Sequence, residues 1–151
     1  MAVSLHTVTV VLQPKLSMTK TLYRPVGPKE LALIEASGWK EFATLTGAAR
    51  FYPVTNEEYA LQIARDWNAK HDGGGYVTRF EINADFVQRY SIQTVGGSIH
   101  QELWVPADEL PEFNRNIVGA IEVIASFPAE QRIFEFERIF EFEMTNAEGV
   151  C

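Results

Sequence analysis

Residues 55–68, TNEEYALQIARDWN, constrain this chain more than any other stretch, because they combine a helix start signal with a helical apolar period. Thr55 followed three residues later by Glu58 has the capping-box arrangement, in which a hydroxyl accepts from an orphan N–H and the Glu reaches back. The spacing then predicts a helix from Asn56 to about Asn68, with Tyr59, Ala60, Ile63, Ala64 and Trp67 on one stripe. A helix with one apolar stripe needs a sheet or a second helix to cover it.

The surrounding segments supply the sheet. Phe51-Tyr52-Pro53-Val54 is a short apolar run before the helix, and His71-Asp72-Gly73-Gly74-Gly75 is a turn after it. Tyr76 to Ile82 predicts a strand with Tyr76, Phe80 and Ile82 on one side. Further strands are expected at 6–13 as an arm ended by Pro14, at Thr21 to Arg24, at Ser91 to Val95, at 99–105 and at Ile117 to Ile124. In the 99–105 strand, Ile99, Gln101, Leu103 and Val105 share one face, and His100, Glu102 and Trp104 the other. A helix is expected over Lys29 to Ser37, opened by Pro28, ended by Gly38, and turning Leu31, Ala32 and Ile34 inward. Shorter helical turns are expected at Asn83 to Tyr90 and Asp108 to Phe113, and 39–50 reads as a loop with short elements. Short strands with helices mostly in the first half indicate an α+β fold rather than a βαβ wind.

At 151 residues and 46% hydrophobic content, the chain suits one domain with a sizeable core. The formal charge of −7 disfavours nucleic acid as a partner. No stretch approaches the length of a membrane span. Cys151 is the single cysteine, so no internal disulfide or Cys-based metal site is expected, and a reducing, cytoplasmic setting fits. A direct repeat, Arg132 to Glu137 and Arg138 to Glu143, extends the C-terminus as a strand, a hairpin or a tail, and the oligomeric state stays open.

No P-loop, GxGxxG, GxSxG or HExxH occurs, and His is present at positions 6, 71 and 100 alone, which removes the support for most common enzyme classes. Gly73-Gly74-Gly75 precedes a strand rather than a helix, so it reads as a turn and not a phosphate cradle.

What remains is an ordered set of segments: LYRPVGPKEL, FYPVTNEEYALQIARDWN, GYVTRFEI, HQELWVPADEL and IVGAIEVI. Over roughly residues 21–125 this order resembles the ADP-ribosyltransferase superfamily, in particular its small bacterial domains. The resemblance implies split antiparallel sheets with helices mainly from the N-terminal half. Residues 1–20 would then be an arm and 126–151 an extension of a single domain. It implies NAD⁺ as a substrate, without a metal, with either transfer of ADP-ribose to a protein or small molecule, or hydrolysis. Arg24 would contact the phosphate and ribose part of NAD⁺, with Tyr23 beside it, because a guanidinium forks onto phosphate oxygens. Tyr52 would stack on nicotinamide, and Thr55 stands nearby, with helix capping as its plainer role. Glu102 would be the catalytic carboxylate, offsetting positive charge as the glycosidic bond lengthens. The family often carries Glu or Gln two residues earlier, and here His100 stands there, either as a base or acceptor contact or as a structural residue. Arg79 and Gln101 are further candidates to line the cleft.

Each of these residues also has a plainer reading: an ion pair at a strand end for Arg24, a core ring for Tyr52, a solvated strand face for Glu102. His100 in the place two residues before Glu102, together with the acidic surface, makes a non-catalytic module of the same fold that binds a protein partner an alternative, and an unrelated α+β protein is another. Phosphate removal from RNA, another activity of the fold, conflicts with the negative charge.

Overall fold

The computed structural model describes residues 18–129. The arm strand expected at 6–13 and the repeat from Arg132 to Glu143 lie outside the described residues, as does Cys151. The strands are β1 (Thr19–Val26), β2 (Arg50–Phe51), β3 (Gly74–Asn83), β4 (Ile92–Thr94), β5 (Gln101–Leu103), β6 (Val105–Pro106) and β7 (Ile117–Pro128). The helices are α1 (Pro28–Ala36), α2 (Glu57–Ile63), α3 (Ala69–His71), α4 (Ala84–Val87) and α5 (Leu110–Arg115), with a π turn at Ala64–Asn68 joining α2 to α3. The protein is thus mixed α+β with several small antiparallel sheets. No described helix is long and apolar enough to cross a membrane.

Strands β1, β3 and β7 form an antiparallel sheet with β3 in the centre. Tyr23 stands opposite Arg79, which in turn stands opposite Glu122. Val54 continues the row. It bridges Tyr23 on one side and Glu102 on the other, with Val54 N–H donating to the Tyr23 carbonyl at 2.8 Å. Beyond it, β5 pairs with β4. Phe51 pairs with Val105, and the same register carries through to the Val54–Glu102 bridge. Side chains alternate along a strand. Phe51, Pro53, Leu103 and Val105 therefore turn into the core, while Tyr52, Val54, Glu102 and Trp104 share the opposite face.

Two cores result. Leu22, Val26, Ile34, Phe42, Phe51, Phe80, Ile82, Phe86 and Phe113 fill the larger one, under α1, α4 and α5. Val54, Ala60, Ala64 and Val77 make the smaller one, under α2. Both faces of β3 are covered, which is why the adjacent residues Val77 and Thr78 are both fully buried. The Thr78 hydroxyl meets its need by donating to the Arg24 carbonyl at 2.8 Å.

The central helix differs from its sequence pattern in three ways. Its cap is Asn56, whose Oδ1 accepts from Tyr59 N–H at 2.8 Å, whereas the Thr55 hydroxyl turns to Gln101. An Asn side chain at the cap position reaches N3 as well as Thr does, so a one-residue shift keeps the cap. The helix continues past Asn68 to His71. Its π turn adds a residue to one turn and so rotates the end of the helix, which takes Trp67 out of the buried stripe, leaving it 59% exposed, and puts Asn68 in the inward place. In α1, Ala32 faces solvent and Glu30 is buried instead, because an ion pair with Arg24 draws it in.

Candidate functional site

A cleft of about 710 Å³ opens between the Tyr52/Trp104 face of the β2–β6 ribbon, the start of α1 and the π turn with α3. Arg24, Tyr52 and Glu102, three residues from separate stretches of chain, all line it. Trp67, Asn68, His71, Asp72 and Trp104 complete much of the wall. Exposed apolar side chains gather here. Leu45, Tyr52, Trp67 and Trp104 are all large, solvent-facing and part of this one cleft.

Glu102 is fixed by its own strand and by two donors. Trp104 Nε1–H donates to Oε1 at 2.8 Å, and the Tyr59 hydroxyl donates to Oε2 at 3.3 Å. Trp104 reaches the carboxylate because residues two apart on a strand lie on the same face. Tyr59 reaches it from the first turn of α2, since Val54 and Thr55 tie the entrance of that helix to β5. Burial raises the pKa of the Tyr59 hydroxyl above its ordinary value, and the Glu102 charge and the hydrogen bond between them add to the effect. The phenol thus stays a donor to the carboxylate. Each Glu102 oxygen keeps a further lone pair for a ligand hydroxyl.

Arg24 is held more tightly than a surface cation. Its Nε and Nη2 donate to the Glu30 carboxylate at 3.0 and 3.1 Å, its Nη1 donates to the Tyr52 carbonyl at 3.3 Å, and the guanidinium lies 4.8 Å from the Phe51 ring centre. Only 16% of its side chain is exposed, and 7% of that of Glu30. The pair is bidentate and planar, the geometry a guanidinium favours. It also leaves the bonding capacity of Arg24 largely occupied. Lys29, one residue before Glu30 and also on the cleft, is exposed and meets no acidic partner among the described residues. The first turn of α1 has no side-chain cap, so its backbone N–H groups are not engaged by one.

The other residues singled out from sequence stand elsewhere. Tyr23 packs on the smaller core, and Arg79 pairs with Glu122 at 2.8 Å on the sheet surface. Thr55 and Gln101 bond to each other across the helix entrance. His100 stacks on Tyr59 with ring centres 4.6 Å apart, contacts Gln62 at 2.8 Å and accepts from Gly97 N–H at 3.1 Å. It braces the ring that holds Glu102, and it does not line the cleft.

Four contributors do not stand out as site residues in the sequence. Trp104 has a usable signal, its alternation with Glu102. Trp67 and His71 are four apart on a helix, a spacing that brings rings together, and they stack at 4.0 Å between centres with planes 25° apart. The His71 Nδ1–H donates to the Trp67 carbonyl at 2.9 Å. Asn68 carries no signal, because only the π turn rotates it inward. Its Nδ2 donates to Asp72 Oδ2 at 2.8 Å, and its Oδ1 is buried without a partner among the described residues. Such an unpaired acceptor costs about 1–3 kcal/mol.

Fold and cleft together define a class, a mixed α+β domain whose cleft combines a fixed carboxylate, a paired guanidinium and exposed rings. No family model, no curated protein and no solved structure matches the chain.

Proposed function

We propose that this domain is of the ADP-ribosyltransferase kind and that it breaks the nicotinamide–ribose bond of NAD⁺ in the cytoplasm, passing ADP-ribose to a protein, a small molecule or water. The reading is supported by the convergence of Arg24, Tyr52 and Glu102 on one cleft, since their order along the chain alone did not require them to meet. Tyr52 and Trp104 offer flat apolar surface for the nicotinamide ring. Glu102 accepts a ribose hydroxyl and opposes the positive charge that grows on the ribose as the bond breaks. Nicotinamide departs with the electrons of the glycosidic bond, the acceptor's lone pair forms the new bond to the same carbon, and the acceptor's proton passes to solvent. Because Tyr59 and Trp104 already hold the carboxylate, little reorganisation is needed at that moment.

The test is nicotinamide release from NAD⁺ by wild type and by Glu102→Gln, with unfolding curves for both. Release that the substitution abolishes in a folded protein supports the reading. Absence of release and of NAD⁺ binding by the wild type overturns it.

One observation favours a second reading, a non-catalytic module of this fold that binds a protein partner. Glu30 occupies two of the three guanidinium nitrogens of Arg24, which reduces what is left for a phosphate. A module of that sort is indifferent to Glu102→Gln.

A further inference from the structure

The C-terminal end of the central helix gathers three features that each work against stability. The π turn replaces regular helical bonds, the Asn68 Oδ1 is buried without a partner among the described residues, and Trp67 stands 59% exposed where its spacing from Ile63 would have buried it. All three belong to the wall of one cleft. An unbroken helical period would put the indole on the inward stripe, so it is the π turn that leaves it in solvent. Their coincidence points to a ligand that needs the indole outside.

The indole is also prepared. His71 stacks on it at 4.0 Å, and the bond from His71 Nδ1–H to the Trp67 carbonyl holds the imidazole in that place. Two stacked rings at a helix end present a flat, rigid surface of the kind on which nucleobases stack. The first turn of α1 adjoins it, since the Asp72 side chain packs against Gly27 so closely that a β-carbon there would lie 2.8 Å from Asp72 Cβ. That turn brings uncapped N–H groups and the Lys29 ammonium, both suited to a phosphate, beside the Asp72 carboxylate, whose Oδ2 accepts from Asn68 and whose charge they must outweigh.

Tyr59, which bonds Glu102, and Trp67 stand eight residues apart, toward the two ends of the central helix. A ring beside Glu102 against Tyr52 and Trp104 and a second base on Trp67, joined through two riboses and a pyrophosphate, would use both ends of the cleft that these residues line.

We propose that the Trp67–His71 stack is the platform for the adenine ring of an adenine nucleotide, with its phosphate turned to Lys29 and the start of α1. For the identity of the complete ligand the proposal rests on the NAD⁺ reading. The platform itself is tested with AMP, which has no bond for the Glu102 chemistry to break.

Calorimetric titration of AMP into the full chain is compared for wild type, Trp67→Ala and Trp67→Phe. The expected result is AMP binding by wild type, weakened about tenfold or more in Trp67→Ala and largely restored in Trp67→Phe, as stacking on an aromatic ring requires. Unfolding midpoints should hardly move, because the indole is mostly in solvent. No AMP binding by wild type, or equal binding by Trp67→Ala, overturns the proposal. The outcomes separate it from the chemistry. AMP binding that depends on Trp67 without nicotinamide release keeps the platform and removes the reaction. Release with a KM for NAD⁺ unchanged by Trp67→Ala keeps the reaction and removes the platform.

Discussion

Gly75 lies so close to the Ala64 carbonyl that a β-carbon added at Gly75 would sit 2.0 Å from its oxygen. The contact is between two backbones, one at the start of β3 and one at the first residue of the π turn, so no side chain is free to swing away. It sets how near the central helix comes to the sheet, and with it the position of the cleft wall. Gly75→Ala should therefore destabilise the fold by about 3 kcal/mol, the upper part of the usual range for overpacking. Chemical denaturation checks this, and an unchanged midpoint would mean that the helix lifts away at little cost.

The Arg24–Glu30 pair yields a second prediction. Both side chains are largely buried, so Glu30→Gln leaves a guanidinium without its counter-charge, at a cost of about 3–5 kcal/mol. Replacing both, as Arg24→Met with Glu30→Leu, should recover much of that loss, because two apolar groups need no mutual charge. Urea denaturation of Glu30→Gln measures the first effect, and a cycle of Arg24→Met, Glu30→Leu and the double variant measures the second. Additive losses would contradict the coupling.

The hold on Glu102 is open to a direct check. Trp104→Phe keeps the ring and deletes the N–H that donates to Oε1. A hydrogen bond to a charged group contributes about 1.5–3 kcal/mol, and about 1.36 kcal/mol is a factor of ten in rate. Under the proposed function, nicotinamide release by Trp104→Phe should fall about tenfold or more with the fold intact. Release at the wild-type rate would show that the indole does not orient the carboxylate.

The raised pKa of Tyr59 carries a pH prediction. Above the unfolded value of 10.0 the unfolded chain loses this proton while the folded chain retains it, so folding is disfavoured as pH rises. The contribution is complete below 10.0 and declines through the higher folded value. Wild type should lose stability more steeply than Tyr59→Phe on going above 10.0, as read from denaturation midpoints on both sides of that pH. Equal slopes would contradict the burial of this hydroxyl against Glu102.

Much of the fold is legible in the sequence because its elements are local. The helix after Val54, the strand at 76–82 and the inward set Leu103 and Val105 follow from periods of 3.6 and 2 that a sequence displays directly. The cap falls one residue later than the box pattern places it, at Asn56 rather than Thr55, because Asn caps at least as well as Thr and the deciding contact is between Thr55 and Gln101. An unbroken helical period would put Trp67 in the core, and the π turn breaks that period.

By itself the sequence determined the α+β class, the capped central helix and the face that Glu102 shares with Trp104, since each depends on near neighbours in the chain. Tertiary structure alone decided that Arg24, Tyr52 and Glu102 line one cleft, that Arg24 is already paired with Glu30, and that His100 stands behind Tyr59 rather than at the cleft. The physical reason is range. A hydrogen bond or a stacked ring between residues more than 40 positions apart, such as Tyr59 with Glu102 and with His100, exists only once the sheet has closed the loop between them.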